Sequence, residues 1–158
     1  MNNTGVTLLE MLAVLAIIGV IIILSLVWFS PSVPRRAAQE LQRLYINARN
    51  LAILQNETVA VVPANRANTI WHMKLVPSYA DCASGTVLYT LSLPKAPTLS
   101  VVPSATYGGE VVWTPNGSPR SCGSGLTNQT ITIGAPFQNP YEVVISNLGR
   151  VNVQAQKL

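Results

Sequence analysis

Charge is scarce along this chain of 158 residues: only 10% of its side chains are ionised at neutral pH, and those few do not cluster. Ten basic residues outnumber six acidic ones for a net charge of +4, spread from Arg35 to Lys157. A nucleic-acid footprint concentrates its cations in one run or on one face, and no such concentration is present. Polar surface must come largely from Ser, Thr, Asn and Gln, which suits an exported domain. The chain has one histidine, His72, and two cysteines without CxxC spacing, so no zinc-type ligand set can be composed. No Ser or Cys nucleophile motif accompanies His72, and no glycine-rich phosphate loop occurs. The carboxylates Asp81, Glu110 and Glu142 lie in dissimilar contexts and do not suggest the paired acids of glycoside chemistry. The expectation is a protein that is no enzyme, with no metal and no cofactor.

What the chain does possess is a long apolar run, Gly5 to Phe29, in which Glu10 is the single charge. At about 1.5 Å rise per residue, Met11 to Phe29 would cross most of a hydrocarbon core of roughly 30 Å as a helix. A carboxylate beside such a run costs on the order of 3 kcal/mol and persists where it has a partner or a task. No basic side chain is near it in sequence. Cutting after Gly5 would free an α-amine on Val6, four residues before Glu10, and pairing of the two between neighbouring helices would neutralise two buried charges.

The stretch Gly5-Val6-Thr7-Leu8-Leu9-Glu10 followed by an apolar helix resembles the class III signal of type IV pilins and of type II secretion pseudopilins. The resemblance implies that prepilin peptidase cleaves after Gly5 and methylates Val6, and that Glu10 is the assembly carboxylate. It implies an inner-membrane, single-pass chain with a periplasmic C-terminal domain, later incorporated in a pilus or pseudopilus. Its implied partners are other pilin or pseudopilin subunits, prepilin peptidase and an inner-membrane assembly platform. Val6 replaces the family's usual phenylalanine. The leader carries no Lys or Arg while Arg35 and Arg36 follow the apolar run, so charge bias alone favours the opposite orientation.

Beyond Pro31 and Pro34, which should kink or break the helix, Ala37, Leu41, Leu44, Tyr45, Ala48, Leu51 and Ala52 recur at helical spacing to about Gln55. Short β-like runs follow at 58–62, 70–76, 86–93, 99–102, 110–114, 130–133, 141–146 and 150–154, with Pro63, Pro77, Gly85, Pro94, Gly108-Gly109, Gly117, Gly134 and Pro140 as punctuation. Asn147-Leu148-Gly149 reads as the turn of a final hairpin. The expected fold class is α+β: a long N-terminal helix, membrane half plus amphipathic half, packed on a C-terminal antiparallel β domain. The expected divisions are 1–5 leader, 6–30 assembly helix, 31–57 amphipathic helix and 58–158 β domain.

The segment 44–52 with the strand 59–62, and the closing Val143 to Val151 with its Gly149-Arg150 pair, are similar to the GspH/FimT branch of minor pilins and pseudopilins. That resemblance implies a role in pilus initiation or DNA uptake, or a GspH-like role in type II protein secretion. Some members of the branch contact DNA through a C-terminal Gly-Arg-x-Arg; here Asn152 stands at the second Arg, leaving Arg150 and Lys157 as candidate DNA contacts. A reading of another class is a membrane-anchored periplasmic module that binds DNA or glycan, with Trp71, Trp113 and the tyrosines as a stacking surface; core packing is the commoner fate of such aromatics. In an exported domain the pair Cys82 and Cys122 reads as a disulfide, with two free thiols as the alternative.

Overall fold

A computed structural model of the chain describes residues 8–28, 32–82, 84–94, 99–103, 108–123 and 125–156. In the first helix, side chains are described at Leu8 and from Glu10 to Ile22. The chain divides into two compact units, one holding this helix and the other running from Ser32 onward.

The first unit is α1, Leu8–Trp28, whose only ionisable residue is Glu10 in the first turn. Apolar side chains point outward all round it: Leu12, Leu15, Ile18 and Ile21 are each exposed. A helix that is hydrophobic on every side lacks an amphipathic instruction to fold against its own domain and is designed for an apolar surrounding. Among the described residues no helix is long and apolar enough to cross a membrane.

The second unit opens with α2, Val33–Gln55. Pro34 occupies its first turn, where the missing N–H costs nothing, and Asn56 ends it in the left-handed conformation, φ 55°, with its N–H returned to the Ala52 carbonyl. Of the stripe read from the sequence, Ala37, Leu41, Leu44, Tyr45, Ala48 and Ala52 are buried in the core and Leu51 packs against it partly exposed; Ala38, not read as part of it, is buried as well.

Among the described residues nine strands follow, all paired antiparallel. They are β1 Val59–Pro63, β2 Ile70–Leu75, β3 Thr86–Ser92, β4 Ser100–Pro103, β5 Val111–Trp113, β6 Pro119–Arg120, β7 Gln129–Ala135, β8 Gln138–Ile145 and β9 Val151–Ala155. They form two sheets, ordered β3-β2-β1-β5-β6 and β4-β7-β8-β9. The inward residues of both, including Val59, Val61, Trp71, Val111, Trp113, Ile131, Ile133, Val143 and Ile145, meet the α2 stripe in one core. The opposite face of β1 is buried as well: Ala60 and Val62 join Val76, Val112 and Cys82 in a second, smaller cluster. Strand alternation thus serves two cores, one on each face of the same strand.

Eight of these strands coincide with the sequence runs to within a few residues, and β6 was not anticipated. Pro140 does not end a strand as expected but lies inside β8. The β7–β8 ladder shifts register between Ile133 and Ala135, and an irregular ladder of this kind accommodates a residue with no N–H. The closing turn is as read: Gly149 has φ 78°, and its N–H donates to the Ser146 carbonyl at 2.8 Å.

Candidate assembly surfaces

The expected processing residues Gly5 and Val6 lie outside the described residues. Glu10 is exposed in the first turn of α1, where a carboxylate is also favoured by the unsatisfied N–H groups of a helix start. The helix therefore presents one negative group at one end of a wholly apolar surface. Such a rod can associate by apolar burial along its length while its single charge selects a cationic partner at one level.

Cys82 and Cys122 are joined, with Cα atoms 5.9 Å apart. The bond ties the loop before β3 to the turn after β6 and lies against Ala60, Val62, Val76 and Val112. Around it, Gly123 N–H donates to the Tyr79 carbonyl at 2.8 Å and the Arg120 guanidinium sits 4.9 Å over the Tyr79 ring. These contacts staple two loops over the smaller core; neither thiol is free for chemistry.

Arg150 is exposed in the final turn, with its backbone N–H donating to Ser146 Oγ at 3.1 Å. Lys157, the other candidate DNA contact, lies outside the described residues. The glycine beside Arg150 has a structural task. A Cβ on Gly149 would stand 2.8 Å from the Gly117 carbonyl oxygen and 3.3 Å from the Trp113 ring, and the φ of 78° is itself one that side chains rarely adopt. Arg49 Nε of α2 donates to the same Gly117 carbonyl at 3.3 Å, and Gln42 Nε2 donates to the Val151 carbonyl at 2.9 Å. The Gly-Arg turn is where the last hairpin closes on α2.

Trp71 and Trp113 are fully buried, which removes the proposed stacking surface from them. Trp71 Nε1 donates to the Asn68 carbonyl at 2.7 Å, and its ring meets Tyr45 edge-on at 6.1 Å. The Tyr45 hydroxyl donates to the Gly109 carbonyl at 2.7 Å. Burial, and secondarily the charge of Glu110, push that hydroxyl well above the ordinary tyrosine range.

The three carboxylates weighed for glycoside chemistry serve separate local structures. Asp81 accepts from the Ser84 N–H at 3.0 Å, Glu142 accepts from Gln154 Nε2 at 3.1 Å, and Glu110 sits ahead of β5. Among the described residues no group of three His, Cys, Asp or Glu could hold a metal, and His72 is a strand residue opposite Thr90.

One surface escaped the sequence reading. The outer edge of β3 borders a groove against α2 lined by Glu40, Arg43, Leu44, Asn47, Tyr89, Leu91 and Ser92. The signal available for it was the absence of any charge from Thr86 to Ser92.

Residues 37–149 match the family model described as type II transport protein GspH. No curated protein sequence is significantly similar to the chain. Among solved structures, the type IV minor pilin FimU of Pseudomonas aeruginosa PAO1 superposes with a TM-score of 0.63 at 19% identity, covering 78% of this chain and 92% of that one. The minor pseudopilin EpsH from the type 2 secretion system of Vibrio cholerae gives 0.57 at 12% identity, covering 78% of this chain and 98% of that one. These two likenesses are to the pilin fold: a long N-terminal helix packed on antiparallel sheets.

Proposed function

The chain belongs to the GspH family, a family of structural, non-enzymatic pilin-like subunits, and from that premise we propose that it is a minor pilin of a type IV pilus-like filament. In this reading the precursor sits in the inner membrane with its β domain in the periplasm. Prepilin peptidase cuts after Gly5 and methylates Val6. The apolar α1 then packs among the helices of other subunits, delivered through the assembly platform, and Glu10 pairs with a subunit amine to set axial register. The observation that carries the reading is α1 itself, a helix apolar on every side with one acidic group at one end. Burying its exposed apolar surface supplies the association energy, at roughly 25 cal/mol per Å². The family's association with type II transport favours a second reading, a minor pseudopilin of type II protein secretion.

Mass spectrometry of sheared surface filaments and of the membrane fraction from the native host separates the readings. Methylated Val6 at the start of the chain in surface filaments is the expected result. The same processed end confined to membranes makes the protein a pseudopilin, and a mature pool that retains Met1 overturns assembly altogether. Glu10→Ala is expected to insert in the membrane yet enter filaments about tenfold less, the equivalent of about 1.4 kcal/mol per contact. Normal incorporation of that variant would remove the carboxylate from the mechanism.

A further inference from the structure

The β7–β8 hairpin turns on Pro136-Phe137, between the paired residues Ala135 and Gln138. In a two-residue turn proline suits the first place, and a left-handed second place suits Gly or Asn. Phe137 stands there instead with φ 60°, a backbone state that strains a bulky side chain. The ring gains nothing from the fold in return: at 108% of its reference area it is the most exposed large apolar side chain among the described residues. No charged residue occurs from Ile131 to Tyr141. The adjoining hollow of about 400 Å³, lined by Ser100, Gly134, Ala135, Pro136, Gln138 and Pro140, is uncharged as well. Strain and exposure together mark the ring as an anchor for something outside the domain.

Contacts with α2 show which end of the domain this turn marks. The Gly149 turn lies against Arg49, and Gln42 Nε2 donates to the Val151 carbonyl, so β9 leaves that turn toward the start of α2. β8 is antiparallel to β9, with Ile145 opposite Val151, and its first residues therefore lie toward the same end. From Ile145 back to Gln138 is about 23 Å of strand, whereas from Gln42 back to Val33 is about 13 Å of helix. Even with an oblique crossing, Phe137 reaches the level of the start of α2. Arg35 and Arg36 are exposed there, with no acidic residue in the first turn. Two cations at that place oppose the helix's own partial positive charge, so they suit an anionic partner better than they suit the helix. The chain fixes what is nearby: α1 ends at Trp28 and α2 begins at Val33, a reach of at most about 18 Å. With α1 in a bilayer, the start of α2 is held beside a phospholipid surface.

We propose that the Pro136-Phe137 turn and the Arg35-Arg36 pair form a membrane-contact surface that seats the domain of the precursor on an anionic phospholipid bilayer. Phe137 enters the boundary between headgroups and acyl chains, and the arginines meet the phosphates. A single ring on a protruding turn has no shaped face for a protein partner to match, and a fluid interface accepts it without one. The surface rests on the proposed function in one respect, the insertion of α1 in a membrane. It is independent of which filament the chain joins.

The test uses the full chain in bicelles containing phosphatidylglycerol, with 4-fluorophenylalanine placed at Phe137 or, as a control in the turn at the other end of β8, at Leu148. Fluorine relaxation is measured with dissolved oxygen, which concentrates among acyl chains, and with a nickel chelate, which stays in water. The ratio of the oxygen effect to the nickel effect is expected to be about tenfold higher at 137 than at 148. Arg35→Gln with Arg36→Gln, or bicelles of phosphatidylcholine alone, should lower the ratio at 137 about fivefold; no change would overturn the anionic choice. Phe137→Asn suits the turn and should melt at or above the temperature of the parent, whereas a lower melting temperature would make the ring part of the fold and overturn its role as an anchor. Equal ratios at 137 and 148, in a chain whose α1 amides are protected by the bicelle, overturn the surface and leave the proposed function standing. Unprotected α1 amides overturn both. Shielding of 137 from both reagents, rising with protein concentration, makes another subunit the occupant and overturns the proposal as stated.

Discussion

α1 and α2 are helices of 21 and 23 residues in the same chain, and they solve the problem of apolar surface in opposite ways. α2 gathers its apolar residues on one stripe, buries Leu41, Tyr45 and Ala48 completely, and sends Arg36, Arg43 and Asn50 outward. α1 distributes apolar residues over its whole circumference and buries none of the described ones. A stripe addresses one partner, the domain carried on the same chain; a uniformly apolar rod addresses an apolar environment made by others. The difference teaches that the stability of the domain rests on α2 and not on an apolar stripe of α1, so that, on the proposed function, stability and assembly should each be damaged without the other.

The largest separation is expected from the disulfide. Replacing Cys82 and Cys122 by Ser frees a loop spanning 40 residues and should destabilise the α2-bearing domain by about 4 kcal/mol in the chain-entropy model. Urea unfolding of the full chain in micelles measures it, and the helical signal of α1 should survive the transition. A loss below about 1 kcal/mol would mean that the cluster around Val112 holds those loops without the bond.

The helices themselves give the next contrast. Leu41→Ala empties a fully buried site and should cost about 3 kcal/mol in domain stability. Leu15→Ala changes a side chain that is 64% exposed and should leave domain unfolding within about 0.5 kcal/mol of the parent, while lowering filament incorporation. Equal stability losses in the two variants would show that α1 is folded against its own domain, and the comparison would fail.

The same division explains what could be read from the sequence. Periodicity exposed the α2 stripe, because spacing of three and four is a local property that survives into the fold. Alternation exposed most strands for the same reason. β6 was missed because Pro119-Arg120 has neither alternation nor β propensity; it exists through pairing with Val112 and Trp113. The partition into two sheets was equally hidden, since it depends on β1 lying between β2 and β5 while β4 leaves to join β7. The groove beside β3 is a product of that partition and had no linear signature beyond missing charge. Cys82 and Cys122 were legible as a pair because the chain holds no others. Gly149 was legible as a turn residue, but its contact with Gly117 and Trp113 was not.

The smallest expected effect lies at Tyr45, where α2 meets the strands through a buried hydroxyl. In the folded domain this group titrates well above its ordinary value, raised first by burial and then by Glu110, while in the unfolded chain it ionises near pH 10. Its contribution is therefore complete below about pH 10 and declines as pH rises toward the folded value, by up to about 1.4 kcal/mol per unit. Tyr45→Phe keeps the ring against Trp71 and removes the donor to the Gly109 carbonyl. It should cost about 1 kcal/mol at neutral pH and make the alkaline decline shallower. The difference between the two stability profiles isolates this hydroxyl from the other tyrosines and the lysines. α1 contains no Tyr, Lys or Cys, so its helical signal should stay level throughout. Parallel profiles for parent and variant would place the alkaline weakness elsewhere in the domain, and a fall in the α1 signal at the same pH would mean that the two helices do not unfold as separate units.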